Sequence, residues 1–148
     1  MKKRIELFIN EIPSKLEELK MLLSVDNIKI DKFIYSSDEI DVIELYIKEN
    51  YNKNQSLLDL FKIYLGEAII ERTDGYWTFH SVKSLISFGL FAITGIKSGK
   101  HKGYMPDYIP DFVIEYSIFE PDDEGLTISQ KINQITKFSK KQMDIKNV

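Results

Sequence analysis

The chain has 148 residues, 43% of them hydrophobic, which suffices for one core and predicts a single domain over residues 1–148. Its net charge of −3, with lysines dispersed along the chain, argues against a general nucleic-acid binder, because neutralising phosphates needs a concentrated basic face. Cysteine is absent, so disulfides, zinc–thiolate sites and thiol nucleophiles are excluded, in keeping with a cytoplasmic protein.

The amino terminus, Met1-Lys2-Lys3-Arg4, imitates the charged start of a signal peptide. Glu6, Asn10 and Glu11 break the apolar run that should follow, so export by that route is not expected. The longest uncharged run, Ser84 to Ile96, is far short of the ~20 residues that span a bilayer. Residues 2 to 23 are amphipathic and interrupted at Pro13, which predicts a short helix, a break, and a second helix from Pro13 to about Leu23. An irregular connection with Ile28, Ile30, Phe33 and Ile34 follows. Ser36 to Tyr51 is the clearest helix: Ser36 caps it, Glu39 completes a capping box, and Ile40, Ile43, Tyr46 and Ile47 form its inner stripe.

Gln55 to Phe79 is the stretch around which the rest is organised. As a helix it is apolar on two sides, with Leu57, Phe61, Tyr64, Leu65 and Ala68 opposite Ile63, Gly66 and Ile70, which predicts burial on both. Gly66 costs such a helix about 1 kcal/mol relative to Ala, so another backbone or an aromatic ring is expected to approach it closely. Asp74-Gly75 makes a turn, and Tyr76 to Phe79 begins a sheet. Val82 to Ile96 reads as strand, although its continuous apolarity also allows a buried helix. Lys97 to Gly103 is a basic hairpin loop. Two Pro-Asp units punctuate Tyr104 to Asp111, Phe112 to Phe119 reads as another strand, and Glu120 to Gly125 is an acidic turn. Thr127 or Ser129 caps a last helix with Ile128, Ile132, Ile135 and Phe138 on one face, and the lysine-rich tail beyond is expected to fray. Helices, then strands, then a closing helix make an α+β fold: N-terminal helices, a central buried helix, a small mostly antiparallel sheet and a C-terminal helix.

No catalytic set, cofactor motif or metal-ligand spacing stands out. His80 and His101 lack neighbouring ligands. Gly95 to Lys100 imitates a phosphate-binding loop, but the glycine spacing is one residue short and His101 stands where the hydroxyl belongs. Glu67, Glu71, Arg72 and Asp74 form the best polar cluster, and an acid/base pair there would need Glu67 to meet His80 or Arg72. Tyr104, Met105, Tyr108 and Phe112, interleaved with Asp107 and Asp111, make an aromatic-rich, proline-bent loop that suits protein recognition, and the acidic segments Asp38 to Asp41 and Asp122, Asp123 and Glu124 would steer a basic partner.

Tyr64-Leu65-Gly66-Glu67-Ala68-Ile69 followed by Gly75-Tyr76-Trp77 resembles a signature of small bacterial domains that look like immunity proteins of polymorphic-toxin systems. Asp74 departs from it, standing where many such families carry the first of two glycines. The resemblance implies a non-enzymatic, cytoplasmic protein that occludes a cognate toxin, with no catalytic residues to carry over. The competing expectations are a small hydrolase or ligand-binding domain using Glu67 with His80 or Arg72, and a structural subunit that assembles through its helices.

Overall fold

Ile5, Phe8, Ile12, Leu16, Leu19 and Leu23 keep a three-and-four spacing straight through Pro13, and that stripe decides the local structure. The computed structural model, which describes residues 2–83, 85–87, 89–121 and 124–146, has one unbroken helix α1 (Lys2–Val25) in place of the two expected. Pro13 and Ile9 both lie on the exposed side, so the carbonyl that loses its donor faces water while Ile12, Leu19 and Leu23 are buried. Packing on one face outweighs the missing bond.

Helix α2 (Ser37–Asn50) starts as its sequence dictates, with the Ser36 hydroxyl accepting from the Glu39 amide at 3.2 Å. Only half of the expected capping box forms, because the Glu39 carboxylate reaches past the Ser36 amide to earlier donors. It accepts from the amides of Ile34 and Tyr35 and from the Tyr64 hydroxyl at 2.8 Å, tying the connection, α2 and the next helix together. Tyr35 sits there at φ +57°, a left-handed conformation held by those bonds.

Helix α3 (Ser56–Arg72) is the centre of the molecule. Leu57, Leu60, Phe61, Ile63, Tyr64, Leu65, Gly66, Ala68 and Ile69 are all buried, and α1, α2 and the later elements pack around it. Such side chains contribute about 1.5–3 kcal/mol each on burial, which is why this helix needs no polar face. A Cβ on Gly66 would overlap Cη2 and Cζ2 of the Trp77 ring, so the close approach expected at this glycine is that of an indole packed against the helix. Trp77 comes from β1 (Tyr76–Phe79), which pairs antiparallel with β2 (Phe91–Thr94) in the register Tyr76 to Thr94 and Phe79 to Phe91. Phe8 of α1 stacks on Phe91 at 3.9 Å and meets Trp77 edge-on, closing the layer of helices over this face of the sheet.

The segment 82–96 is not one strand. Among its described residues only Phe91–Thr94 form a strand, while the residues described between His80 and Leu90 make a turned loop closed by bonds from the His80 amide to Leu90 and from the Gly89 amide to His80. Gly89 at φ +86° allows that closure. On the far side of β2, Tyr108 exchanges two backbone bonds with Ile93, and Met105 donates to Ile96, so residues 104–108 line the sheet edge without becoming a regular strand.

Residues Phe112 to Phe119, expected as strand, are helical. Pro110 opens α4 (Pro110–Ile114), and a π-helical turn (Glu115–Phe119) extends it. Pro110, Ile114 and Ser117 are the buried positions, a helical spacing that the run of apolar residues concealed. Helix α5 (Ile128–Thr136) has the full capping box of Thr127 and Gln130, and the buried Glu44 carboxylate of α2 accepts from the Ile128 amide at 2.8 Å. Ile128 and Ile132 reach the core; Ile135 and Phe138 remain partly exposed. The tail does not fray at once but forms α6 (Lys140–Lys146). Its Lys141 and Gln142 side chains donate to the Glu71 and Arg72 carbonyls at the carboxyl end of α3, groups that a helix end leaves without partners. The arrangement is an α+β fold, with helices dominant and the small antiparallel sheet on one side.

Candidate functional site

The chemistry-bearing side chains sort onto the two faces of the sheet. Trp77 points toward α3, where its indole N–H donates to the Glu67 carboxylate at 3.0 Å. His80 follows three residues later on the continued ladder, and strand alternation sends it to the opposite face. Its two ring nitrogens meet Ser87 Oγ at 2.5 Å and Asp107 Oδ2 at 2.7 Å. Arg72 turns back to the Ala68 carbonyl at 3.2 Å, and burial pushes its guanidinium below its ordinary pKa. Glu67, His80 and Arg72 thus have separate partners. The acid/base pairing of Glu67 with His80 or Arg72 is not assembled.

Ser87, His80 and Asp107 stand in the order of nucleophile, base and orienting acid, with Thr94 donating to the second Asp107 oxygen at 2.7 Å. A carboxylate can only accept, so the ring proton of neutral His80 belongs on Nε2 and Nδ1 accepts from the Ser87 hydroxyl. A nucleophile also needs room for a reacting atom about 3 Å away. Ser87 is only 5% exposed, and its hydroxyl faces the histidine. The four side chains form a latch: they fasten the loop between β1 and β2 to the edge segment 104–108. No spacing rule would have found it, because Ser87 and Asp107 are twenty positions apart and meet only through the sheet register.

The residues expected to recognise a partner are dispersed in their roles. Tyr104 is 65% exposed and available. Met105 is half-buried against the core, and Asp107 is taken up by His80 and Thr94. Tyr108 is a correction: its ring is 4% exposed, inside the core rather than on a recognition surface, and its hydroxyl has no hydrogen-bond partner among the described residues. Burial raises that hydroxyl's pKa, a shift the nearby Arg72 charge only moderates. Asp111 pairs with Lys62 at 2.9 Å. Burial would lower the Lys62 pKa, but Asp111 and Asp59 outweigh it and hold the ammonium above its ordinary value. Asp122 and Asp123 lie outside the described residues, and Glu124 is exposed.

The acidic segment Asp38 to Asp41 begins a surface on α2 whose apolar centre sequence reasoning passed over. Asp38, Val42, Leu45 and Glu49 are spaced i, i+4, i+7 and i+11, and all four are exposed, with Val42 at 47% and Leu45 at 58%. The opposite face of the same helix carries the buried Ile40, Ile43 and Ile47. Beside the stripe lies a groove of about 350 Å³ lined by Asp26, Ile28, Val42, Leu45, Tyr46, Glu49 and Asn50. The Tyr46 hydroxyl in its wall donates to the Leu22 carbonyl and ties α2 to α1. The signal was present as two apolar residues on the wet side of α2.

Among the described residues no group of three or more His, Asp or Glu converges as a metal site, and no helix is long and apolar enough to cross a membrane. Comparison with family models, curated proteins and solved structures gives no match.

Proposed function

We propose that this chain is a cytoplasmic protein-binding protein of the immunity type, which neutralises a bacterial toxin by occluding it. The observation that carries the reading is the exposed stripe on α2, apolar at its centre through Val42 and Leu45 and acidic at both ends through Asp38 and Glu49. An apolar centre with charge at its ends is the anatomy of a docking surface, and the carboxylates at both ends favour a basic partner and speed its approach, the neighbouring Lys48 being paired with Glu44. Basic surfaces are what nuclease toxins present, since they must hold phosphate backbones. Tyr104, whose backbone bridges to Lys97, is a second exposed anchor.

The test is protection. Reading frames adjoining this gene are expressed singly and together with the chain, and growth is followed. One of them is expected to be toxic alone and tolerated with the wild-type chain, and Val42→Lys with Leu45→Lys should abolish that protection while circular dichroism shows the fold retained. Adjoining frames that are all harmless, or a stripe variant that protects fully, would overturn the reading.

A further inference from the structure

The hairpin 97–104, rejected above as a phosphate loop, forms one wall of a cleft. Lys97, Ser98, Gly99, Lys100, His101, Lys102, Gly103 and Tyr104 face Lys140 and Asp144 of α6 across about 490 Å³. The hairpin closes through the Ser98 amide to Gly103, and it docks on the carboxyl-terminal segment through the Gly99 amide to Phe138 and the Lys140 amide to Lys97. Lys100 sits 3.5 Å over the Phe138 ring, with Lys137 at 4.8 Å from the same ring. Four lysines and a histidine thus line one concavity on a chain whose total charge is −3. Among the described residues Asp144 is the one acid lining it, and that carboxylate already meets Lys140 at 3.0 Å.

Like charges lining one concavity raise the local positive potential and favour an anion there. The amides that a phosphate loop would offer are engaged: Ser98 with Gly103, Gly99 with Phe138, and Lys100 with the Ser98 hydroxyl. Recognition here therefore falls to lysine ammoniums, which bind phosphate as point charges without fixed geometry. The cations come from both walls, so a single small anion cannot reach them all. An extended row of oxyanions can. Tyr104 at the mouth offers an exposed ring on which a base could stack.

We propose that this cleft binds a chain of phosphate groups, carried either by a free polyphosphate or by the backbone of a single-stranded nucleic acid. The net charge counted against a general nucleic-acid binder is a property of the whole chain. Binding depends on the local field, and the described lining of this cleft holds four lysines against Asp144, which is already paired with Lys140.

Calorimetric titration of the full chain with inorganic tripolyphosphate and with a single-stranded oligothymidylate, at low salt, tests this. Saturable one-to-one binding is expected for at least one probe, weakening steeply as salt rises. Lys100→Ala with Lys102→Ala should lower the affinity about tenfold or more, and Asp144→Asn, which frees Lys140 and removes a repelling carboxylate, should raise it several-fold. Tripolyphosphate bound as tightly as the oligonucleotide assigns a free phosphate chain; an oligonucleotide bound much more tightly, with the gain lost in Tyr104→Ala, assigns a nucleic-acid strand. Either supports the cleft. Binding of neither probe, unchanged affinity in the double lysine variant, or equal affinity for an oligoglutamate peptide would overturn it.

Discussion

Replacing Gly66 by alanine sets two effects of opposite sign against each other. In an ordinary helix interior the change stabilises by about 1 kcal/mol, because glycine has more backbone freedom to lose. Here the new methyl would occupy the space of the Trp77 ring. The indole must withdraw, and overpacking of this kind costs about 1–3 kcal/mol. Withdrawal also breaks the bond to the Glu67 carboxylate and the edge contact with Phe8, about 1.5–3 and 0.5–1.5 kcal/mol respectively. The net expectation is a loss of about 3 kcal/mol. In a Trp77→Leu background the ring is gone, so the same substitution should be neutral or stabilise by up to about 1 kcal/mol, giving a coupling of roughly 3–4 kcal/mol between the two sites. Urea unfolding of the four proteins followed by far-ultraviolet circular dichroism measures this cycle without relying on tryptophan fluorescence. A Gly66→Ala protein as stable as the natural one, or an equal cost in both backgrounds, would refute the close packing of helix and ring.

Other parts of the structure give equally definite expectations. Glu39→Ala removes the acceptor for two backbone amides and for the buried Tyr64 hydroxyl, and should cost about 3 kcal/mol in the same unfolding assay; a change near zero would mean the carboxylate is dispensable. Tyr108→Phe deletes a buried hydroxyl without a partner and should leave stability unchanged or raise it by about 1 kcal/mol, whereas a marked loss would reveal a bond not seen here. Burial and the Glu39 bond raise the Tyr64 hydroxyl above its ordinary pKa of 10.0, and burial raises Tyr108 likewise. Both stay protonated in the folded chain while the unfolded chain loses those protons, so their contribution is complete below pH 10 and declines above it, with a limiting slope of about 1.4 kcal/mol per pH unit per tyrosine. Unfolding measured across the alkaline range should show that decline, and Tyr64→Phe should flatten it by one tyrosine's worth; an unaltered slope would contradict the assignment. Truncation after Ser139 removes Lys141 and Gln142 from the Glu71 and Arg72 carbonyls, and thermal unfolding should report a drop equivalent to about 1–2 kcal/mol.

What the linear chain could determine is local or periodic. The Ser36 cap, the inward stripe of α2, the two-sided apolarity of α3 and the close approach of a backbone or ring at Gly66 are all read from residues within a few turns of one another, where spacing translates directly into faces and caps. Tertiary packing decided the rest. Pro13 sits inside a continuous helix because its neighbours' burial outweighs one bond. Residues 112–119 turn helical because Pro110, Ile114 and Ser117 find the core together, and the tail is held because α3 ends in carbonyls within its reach. Ser87 and Asp107 meet at His80, and Lys140 faces the hairpin lysines, only once the sheet register and the docking of α6 are in place. Convergence of residues distant in the chain depends on loop closure and packing, and neither leaves a period in the sequence.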